Sequence, residues 1–436
     1  MATSGVTTET GRKPATQEKL AVCGGPQACK VKFPTWPIYG REEEEALARV
    51  VRSGTWGRLS GKEVERFEQR FAEYQGAKYG IAVVNGSVSL RIALMGIGIE
   101  AGDEVIVPPY TFLATATAVV EANAVPVFAD IDPETFNLDP AAVEAAITPR
   151  TKAIIPVHVG GLAADVDALM AIAKRHNLFV IEDAAHAHGA EYKGRRVGAL
   201  GHAGSFSFQA SKNLTSGEGG IILTNDEELA ERCRSIHNCG RLKGGAWYEH
   251  VVMGGNYRLS EFQGAVLNCQ FDRLDAQATA RDRNGAYLAA RLEKIPGLHP
   301  QPRRFTGTRH AYHLFAMRYE AAAFGVPRQA FLKALNAEGV FAVAGYIVPL
   351  YAQPLFTQKN FGPYTGYRLS RPDLDYAKMI CPNCERICRE EGIWLVQNEL
   401  LGTQQEMDQI AGAFSKLYDK RGDLQKFARQ EQGSGA

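Results

Sequence analysis

One lysine sits between an apolar strand pattern and a run of glycines, and that placement needs a chemical reason. It is Lys212, in Ser205-Phe-Ser-Phe-Gln-Ala-Ser-Lys-Asn-Leu-Thr-Ser-Gly-Glu-Gly-Gly220. An ammonium is costly to bury, so the position suits either a solvated loop lysine or an amine kept partly deprotonated to attack a carbonyl as a Schiff base. A second stretch, Leu178-Phe-Val-Ile-Glu-Asp-Ala-Ala-His-Ala-His-Gly189, ends an apolar run in Glu182-Asp183, with His186 three residues further on. Open α/β sheets bind ligands beyond the carboxyl ends of their strands. Asp183 can cap the next helix there. It can also pair with the protonated ring nitrogen of pyridoxal phosphate and keep that ring an electron sink, with His186 at the phenolic oxygen. A third stretch, Val83-Val-Asn-Gly-Ser-Val-Ser-Leu90, passes from strand to helix through Gly86-Ser87. That pair is a plain N-cap or, through its N–H groups and hydroxyl, a phosphate cradle.

These residues act together only if the fold assembles them. Between 80 and 225, short apolar runs alternate with helical patterns. The predicted strands are Glu104–Val107, Val125–Ala129, Ala153–Val157, Leu178–Ile181, Ser205–Phe208 and Gly220–Thr224. The predicted helices are Val88–Ile97, Thr115–Asn123, Pro140–Ile147, Val166–His176 and Glu227–His237. Runs apolar on both faces and separated by helices predict an α/β fold with a mainly parallel sheet covered by helices. The acidic Glu42–Glu45 run suits a helix start, where it complements the helix dipole. Beyond 280 the pattern changes to a long polar helix over Asp272–Ile295, a strand over His310–Tyr319 and a helix over Arg328–Glu338, read as a smaller α+β domain. The expected divisions are a flexible tail (1–32), a large domain (33–280), a small C-terminal domain (281–425) and a disordered tail (426–436).

Composition excludes several classes. The 436 residues are 45% hydrophobic and 22% charged, which is ordinary for a globular chain. Lys+Arg 49 against Asp+Glu 48 leaves a net charge of +1, without the basic excess of a nucleic-acid or membrane-surface binder. Met1–Leu20 is polar with no apolar stretch, so it does not read as a secretory signal, and Glu9 and Glu18 oppose a transit peptide. Eight scattered cysteines without an export signal predict reduced thiols in the cytoplasm. Cys381, Cys384 and Cys388 have a spacing that puts all three on one helix face, where they pack as small hydrophobes; a zinc site would need a fourth ligand. Asp130-Ile-Asp132 precedes Pro133 and reads as a turn rather than a metal pair. Gly96, Gly98 and Gly102 follow a helical pattern and make a poor dinucleotide fingerprint.

Six stretches taken in order are similar to the DegT-type aminotransferases, pyridoxal-phosphate enzymes of fold type I that aminate keto-sugars and keto-cyclitols. They are GIGIEAGDEVIVPPYTFLATATAV, PVFADIDPETFNLD, AITPRTKAIIPVHVGG, VIEDAAHAHGAEYKGRRVG, SFSFQASKNLTSGEGG and GGNYRLSEFQGA. The resemblance is densest from Trp36 to Asp275. It implies that Lys212 forms the Schiff base and shuttles the proton, that Asp183 pairs with the pyridine nitrogen, and that His186 sits near the ring oxygen. It implies that Phe112 stacks on the ring and that Gly86, Ser87 and Ser207 hold the phosphate. It also implies that Asn256 reaches the phosphate from the neighbouring subunit of a homodimer. Asn85-Gly86-Ser87 replaces the family's usual Ser-Gly-Thr and drops a methyl. A dehydrating branch carries His in place of the lysine, and Lys212 argues against that branch.

The implied reaction is a two-step transfer from glutamate or glutamine to a keto-sugar or keto-cyclitol. Arg241 and Arg258 are candidates for the donor carboxylate. Tyr312 and His313 on the small-domain strand, with Tyr346 and Tyr351 beside a Pro-Leu turn, suit either a polyhydroxylated ring or packing between domains. The Phe33–Pro37 segment and the Asn256–Gln263 run are similar to the cyclitol and aminohydroxybenzoate branch. Nucleotide-linked keto-sugars are the alternative acceptors. A non-catalytic cofactor-binding sensor on the same scaffold is the rival class, which retention of Lys212, Asp183 and His186 opposes. A metal-dependent redox protein built on the C-terminal cysteines is a third.

Overall fold

The computed structural model describes residues 18–433. Nine strands precede residue 225: β1 (Tyr79–Val83), β2 (Glu104–Val107), β3 (Val125–Phe128), β4 (Thr151–Ile154), β5 (Phe179–Asp183), the small hairpin β6 (Glu191–Tyr192) and β7 (Arg195–Arg196), β8 (Ala203–Ser207) and β9 (Gly220–Thr224). Seven of them form one sheet in the order β1-β9-β8-β5-β4-β2-β3. All neighbours in it are parallel except β9, which runs antiparallel to both β1 and β8. Strands β2, β3, β8 and β9 are buried along their whole length, as expected for a sheet covered on both faces.

The covering helices are α1 (Arg41–Ser53), α2 (Glu63–Gln75), α3 (Gly86–Gly96), α4 (Ala114–Glu121), α5 (Pro140–Ala146), α6 (Val166–His176), α7 (Glu227–His237) and α8 (Glu261–Leu292). Their starts are written in the sequence. The side chains of Asn85, Asp139, Asp165 and Asp226 each accept a backbone N–H in the first turn of α3, α5, α6 and α7. Ser260 and Gln263 form a capping box at α8.

A second sheet, β10 (Leu298–Pro300), β11 (Leu314–Tyr319), β12 (Ala342–Val343) and β13 (Gly392–Val396), is antiparallel in the order β10-β11-β13-β12. Helices Arg328–Ala337 and Gln404–Asp419 share its core of Phe315, Met317, Phe331, Leu335, Ile410 and Phe414.

Several boundaries differ from the sequence reading. Helix α8 starts eleven residues before Asp272, because the Ser260–Gln263 box nucleates it inside a stretch read as a motif. It therefore runs unbroken across position 280. Leu350, Tyr351, Phe356, Tyr376, Cys381, Cys384 and Cys388 join the same core as Val105 and Phe128 of the large sheet, so 281–425 is not one separate unit. The strand expected over His310–Tyr319 begins only at Leu314. Tyr312 has a φ of 44°, which breaks an extended run, and its ring stacks on His310 at 3.7 Å. The expected tail 1–32 is corrected from residue 20 onward, while residues 1–17 lie outside the described residues. Leu20 and Cys29 are buried in the small-sheet core, and Glu338 accepts from the N–H groups of Ala21 and Ala28 at 2.8 and 3.0 Å. The disordered tail expected over 426–436 is likewise corrected through residue 433. Arg421–Gly433 is a helix whose Phe427 and Ala428 pack on that core, and 434–436 lie outside the described residues.

Candidate active site

Parallel strands bring their carboxyl ends to one edge of a sheet, and the antiparallel β9 brings its amino end to that same edge. Val83 and Ser207 both pair with Gly220 there, and Asp183 pairs with Ser205. The loops leaving this edge enclose a cavity of about 690 Å³, which Leu314 and Trp394 of the small sheet and His313 and Tyr346 of its flanking loops also line.

Lys212 lines this cavity in the loop after β8. Its N–H closes a turn onto the Gln209 carbonyl at 2.9 Å. Loss of water pushes the amine down to about 8, against an opposing pull from Asp183. Asp183 is buried at the end of β5. Its Oδ2 accepts from the Thr115 hydroxyl at 2.8 Å and its Oδ1 from the Ala185 N–H at 3.2 Å. Burial raises its carboxyl above the usual range, while Thr115, Ala185 and the Lys212 charge pull the other way.

His186 also lines the cavity, with its ring 4.4 Å from that of His313. Its Nδ1 is buried without a hydrogen-bond partner. Burial holds both imidazoles well below their usual range, and hence neutral. The neighbouring acid does different work. Glu182 accepts from the N–H groups of Gly198, Leu200 and Gly201, each at 2.7 Å, and its Oε2 lies 3.0 Å from His158 Nε2. It ties β5 to the loop before β8, away from the cavity lining.

The opposite wall is the amino end of α3. A Cβ on Gly86 would lie 2.7 Å from Ser207 Cβ, and one on Gly220 would lie 2.4 Å from the Asn85 carbonyl. The two segments thus meet closely, and Asn85, Gly86, Ser87 and Ser207 together line this part of the cavity, at the amino end of a helix. Phe112, 61% exposed, stands at another wall.

This donor set fits pyridoxal 5′-phosphate. Dipoles and hydroxyls suit the phosphate, a fixed carboxylate suits a pyridinium, an amine of lowered pKa suits an aldehyde, and a buried orphan nitrogen on His186 awaits an oxygen. Gly86, Ser87, Phe112, Asp183, His186, Ser207 and Lys212 line one cavity, as do His313 and Tyr346.

Other expected residues do not join it within this chain. Asn256 is exposed and bridges Asn238. Arg258 donates to Asn238 Oδ1 at 2.7 Å, and Arg241 lies over Trp247. Tyr351 donates to Glu385 at 2.7 Å within the core, and Tyr312 lies buried against Gly285 of α8. Sequence reasoning missed Thr115, Gln209, Ser211, Glu218 and Trp394. The Thr111 and Thr115 hydroxyls lie 3.0 Å apart, and no local pattern in the sequence ties either to Asp183.

Cys381, Cys384 and Cys388 are buried, with the last two sulfurs 3.8 Å apart, and among the described residues no group of His, Cys, Asp and Glu is arranged to hold a metal. Asp130 accepts from the N–H groups of Asn383 and Cys384, both at 3.0 Å, and so caps the short helix Pro382–Arg386. Among the described residues no helix is long and apolar enough to cross a membrane.

Residues 37–395 match the model of the DegT/DnrJ/EryC1/StrS aminotransferase family. The chain is 41% identical over 426 residues to an L-glutamine:2-deoxy-scyllo-inosose aminotransferase of Streptoalloteichus tenebrarius, covering 93% of this chain and 99% of that one. It is 38% identical to a 3-amino-5-hydroxybenzoate synthase of Amycolatopsis mediterranei, covering 87% and 96%. The crystal structure of 3-amino-5-hydroxybenzoic acid synthase superposes with a TM-score of 0.80 at 36% identity, covering 89% of this chain and 99% of that one.

Proposed function

The chain belongs to the DegT/DnrJ/EryC1/StrS aminotransferase family, and on that premise we propose that it moves an amino group from glutamine or glutamate to a keto-cyclitol, with Lys212 as cofactor anchor and proton carrier. The protein is a pyridoxal-phosphate-dependent aminotransferase of fold type I. The observation that carries the finer reading is the convergence of Lys212, Asp183 and His186 on one cavity opposite the amino end of α3. Pyridoxal phosphate, when bound, supplies an electron-withdrawing ring that stabilises negative charge on the carbon losing its proton.

The chain's own residues do the rest. Lys212, pushed down to about 8, keeps a useful neutral fraction near neutral pH and can take and return a proton at its Nζ. Thr115 and the Ala185 N–H hold the Asp183 carboxylate in one orientation, so that it stabilises a proton on a ring nitrogen placed against it. Neutral His186 offers its free Nδ1 to a ring oxygen. Gly86, Ser87 and Ser207 orient a phosphate, and Phe112 covers a ring face.

A keto-cyclitol acceptor is supported by the relatives named for 2-deoxy-scyllo-inosose and 3-amino-5-hydroxybenzoate. It is supported too by the polar and aromatic groups Gln209, Ser211, Glu218, His313 and Tyr346 along the cavity. Arg241 and Arg258 remain assigned to the donor carboxylate through a dimer, in which Asn256 reaches the phosphate of the neighbouring site. Leu242, Trp247, Tyr248 and Met253, exposed beside Arg241, form an apolar surface of the kind a second copy covers. A cytoplasmic setting suits eight unpaired cysteines.

The test is product analysis. Purified protein loaded with pyridoxal phosphate is given glutamine with either 2-deoxy-scyllo-inosose or a nucleotide-linked keto-hexose, and amines are read by mass spectrometry. Borohydride reduction and peptide mapping locate the cofactor. An aminocyclitol product and a pyridoxyl group on Lys212 are expected. Amination of the nucleotide-linked sugar alone would move the acceptor to that class. A label elsewhere, or no amine from either ketone, would defeat the assignment.

A further inference from the structure

The catalytic assignment leaves unexplained a buried arginine with no acid beside it. Arg281, on α8, has no exposed surface, and its Nε and Nη1 have no hydrogen-bond partner. Its guanidinium lies 5.1 Å from the Trp36 ring centroid, and its Nη2 donates to the Gln397 side chain. A desolvated cation over an indole face is held by the ring's quadrupole, so Arg281 and Trp36 fix each other.

Trp36 in turn reaches the reacting lysine. Its indole N–H donates to the main-chain carbonyl of Lys212 at 3.1 Å. The segment carrying Trp36 is pinned two residues back, where Asn398 Nδ2 donates to the Pro34 carbonyl at 2.8 Å. Gln397 and Asn398 follow directly on β13, the strand whose Trp394 lines the cavity. A closed circuit therefore runs from Lys212 through Trp36 to Arg281, then to Gln397–Asn398 and back through Pro34. The residue after Lys212 has its own anchor, since Asn213 Nδ2 donates to the Ala311 carbonyl at 2.8 Å. The lysine loop lacks regular structure, so such anchors are what hold its main chain.

We propose that Trp36 is a positioning residue for Lys212: its indole N–H, braced on Arg281, fixes the lysine's peptide so that the amine stays aimed into the cavity. The proposal rests on the assignment of Lys212 above, and it concerns a segment outside the strand edge that builds the site.

Trp36→Phe keeps an aromatic face over Arg281 and removes the N–H. In the cofactor-free protein, hydrogen exchange by mass spectrometry should show residues 209–216 exchanging about fivefold faster, the value of one net hydrogen bond, with strand β3 unchanged and cooperative melting retained. In the loaded enzyme, single-turnover reaction with glutamine should slow severalfold while the apparent KM stays within about twofold, as expected when orientation rather than binding is lost. Unchanged exchange at 209–216, or faster exchange spread equally over β3, would overturn the proposal. If W36F loses cooperative melting, Asn398→Ala frees the Pro34 carbonyl and leaves the indole intact. Faster exchange at 209–216 in that variant supports the circuit, and unchanged exchange removes it. Borohydride labelling of the wild type is read alongside. A label away from Lys212 would sink the functional assignment, while the cofactor-free exchange comparison still decides whether Trp36 holds this loop.

Discussion

At the scale of single residues, the amine of Lys212 is bought at a cost to stability. Burial pushes it down to about 8 from the ordinary lysine value of 10.5. The unfolded chain then binds the proton more tightly than the folded one. Stability therefore rises as pH climbs from about 8 to about 10.5, and the folded state bears the full cost below pH 8. Lys212→Met removes the amine and keeps an apolar stem of similar length. It should abolish transamination yet stabilise the cofactor-free protein by on the order of 3 kcal/mol at pH 7, with the gain shrinking as pH rises past about 8 and mostly gone by about pH 10. Urea unfolding at the two pH values checks this, and equal stability of variant and wild type at pH 7 would mean the amine is solvated. Asp183 shows the complementary design. Its carboxylate is buried but carries two fixed donors, the Thr115 hydroxyl and the Ala185 N–H, which orient it.

At the scale of elements, the amino end of α3 and the ends of β8 and β9 meet with no space to spare. Gly86 is required there because a methyl would meet Ser207 Cβ at 2.7 Å and Ser207 Cα at 3.2 Å. Gly86→Ala should force the helix end away from β8 and weaken pyridoxal-phosphate binding by roughly tenfold or more. Ser87→Ala, which removes one hydroxyl without moving backbone, should weaken it by about fivefold. Fluorescence titration of the cofactor-free variants measures both, and an unaffected Gly86→Ala would place the phosphate elsewhere. The antiparallel β9 matters for the same corner. Were it parallel, its amino end and Gly220 would lie at the far edge of the sheet, and the loop from Lys212 could not return to pair Ser207 with Gly220.

At the scale of the whole molecule, the small sheet packs on a core of its own and also lends residues to the cavity wall. It supplies Trp394 from β13 and His313 just ahead of β11, while α8 runs beneath both layers. A second copy belongs to this scale too. If Asn256 of the partner subunit completes each site, Lys212→Ala and Asn256→Ala subunits are each defective alone but complement each other. Mixed and reassociated, they should recover activity at about a quarter of the wild-type number of sites, since half of random dimers hold one intact site. No recovery in mixtures shown to exchange subunits would return Asn256 to a role within its own chain.

How much of this was legible follows from the range of the interactions. Helix starts at Asn85, Asp165 and Asp226 and strands such as Glu104–Val107 and Gly220–Thr224 were readable, because capping and burial periodicity act within a few residues. Lys212, Asp183 and Gly86-Ser87 stood out for a related reason: a charge at the end of an apolar strand, and a glycine before a helix, are locally anomalous. The start of α8 was hidden by a motif, and the buried roles of Tyr312 and Tyr351 by side chains that look equally suited to a pocket or a core. Thr115 beneath Asp183, Glu182 turned away from its neighbour, and Trp36 on the Lys212 carbonyl join residues 68, 16 and 176 positions apart. Only the packed sheet decided those, because hydrogen bonds between distant segments leave no period and no local anomaly in the chain.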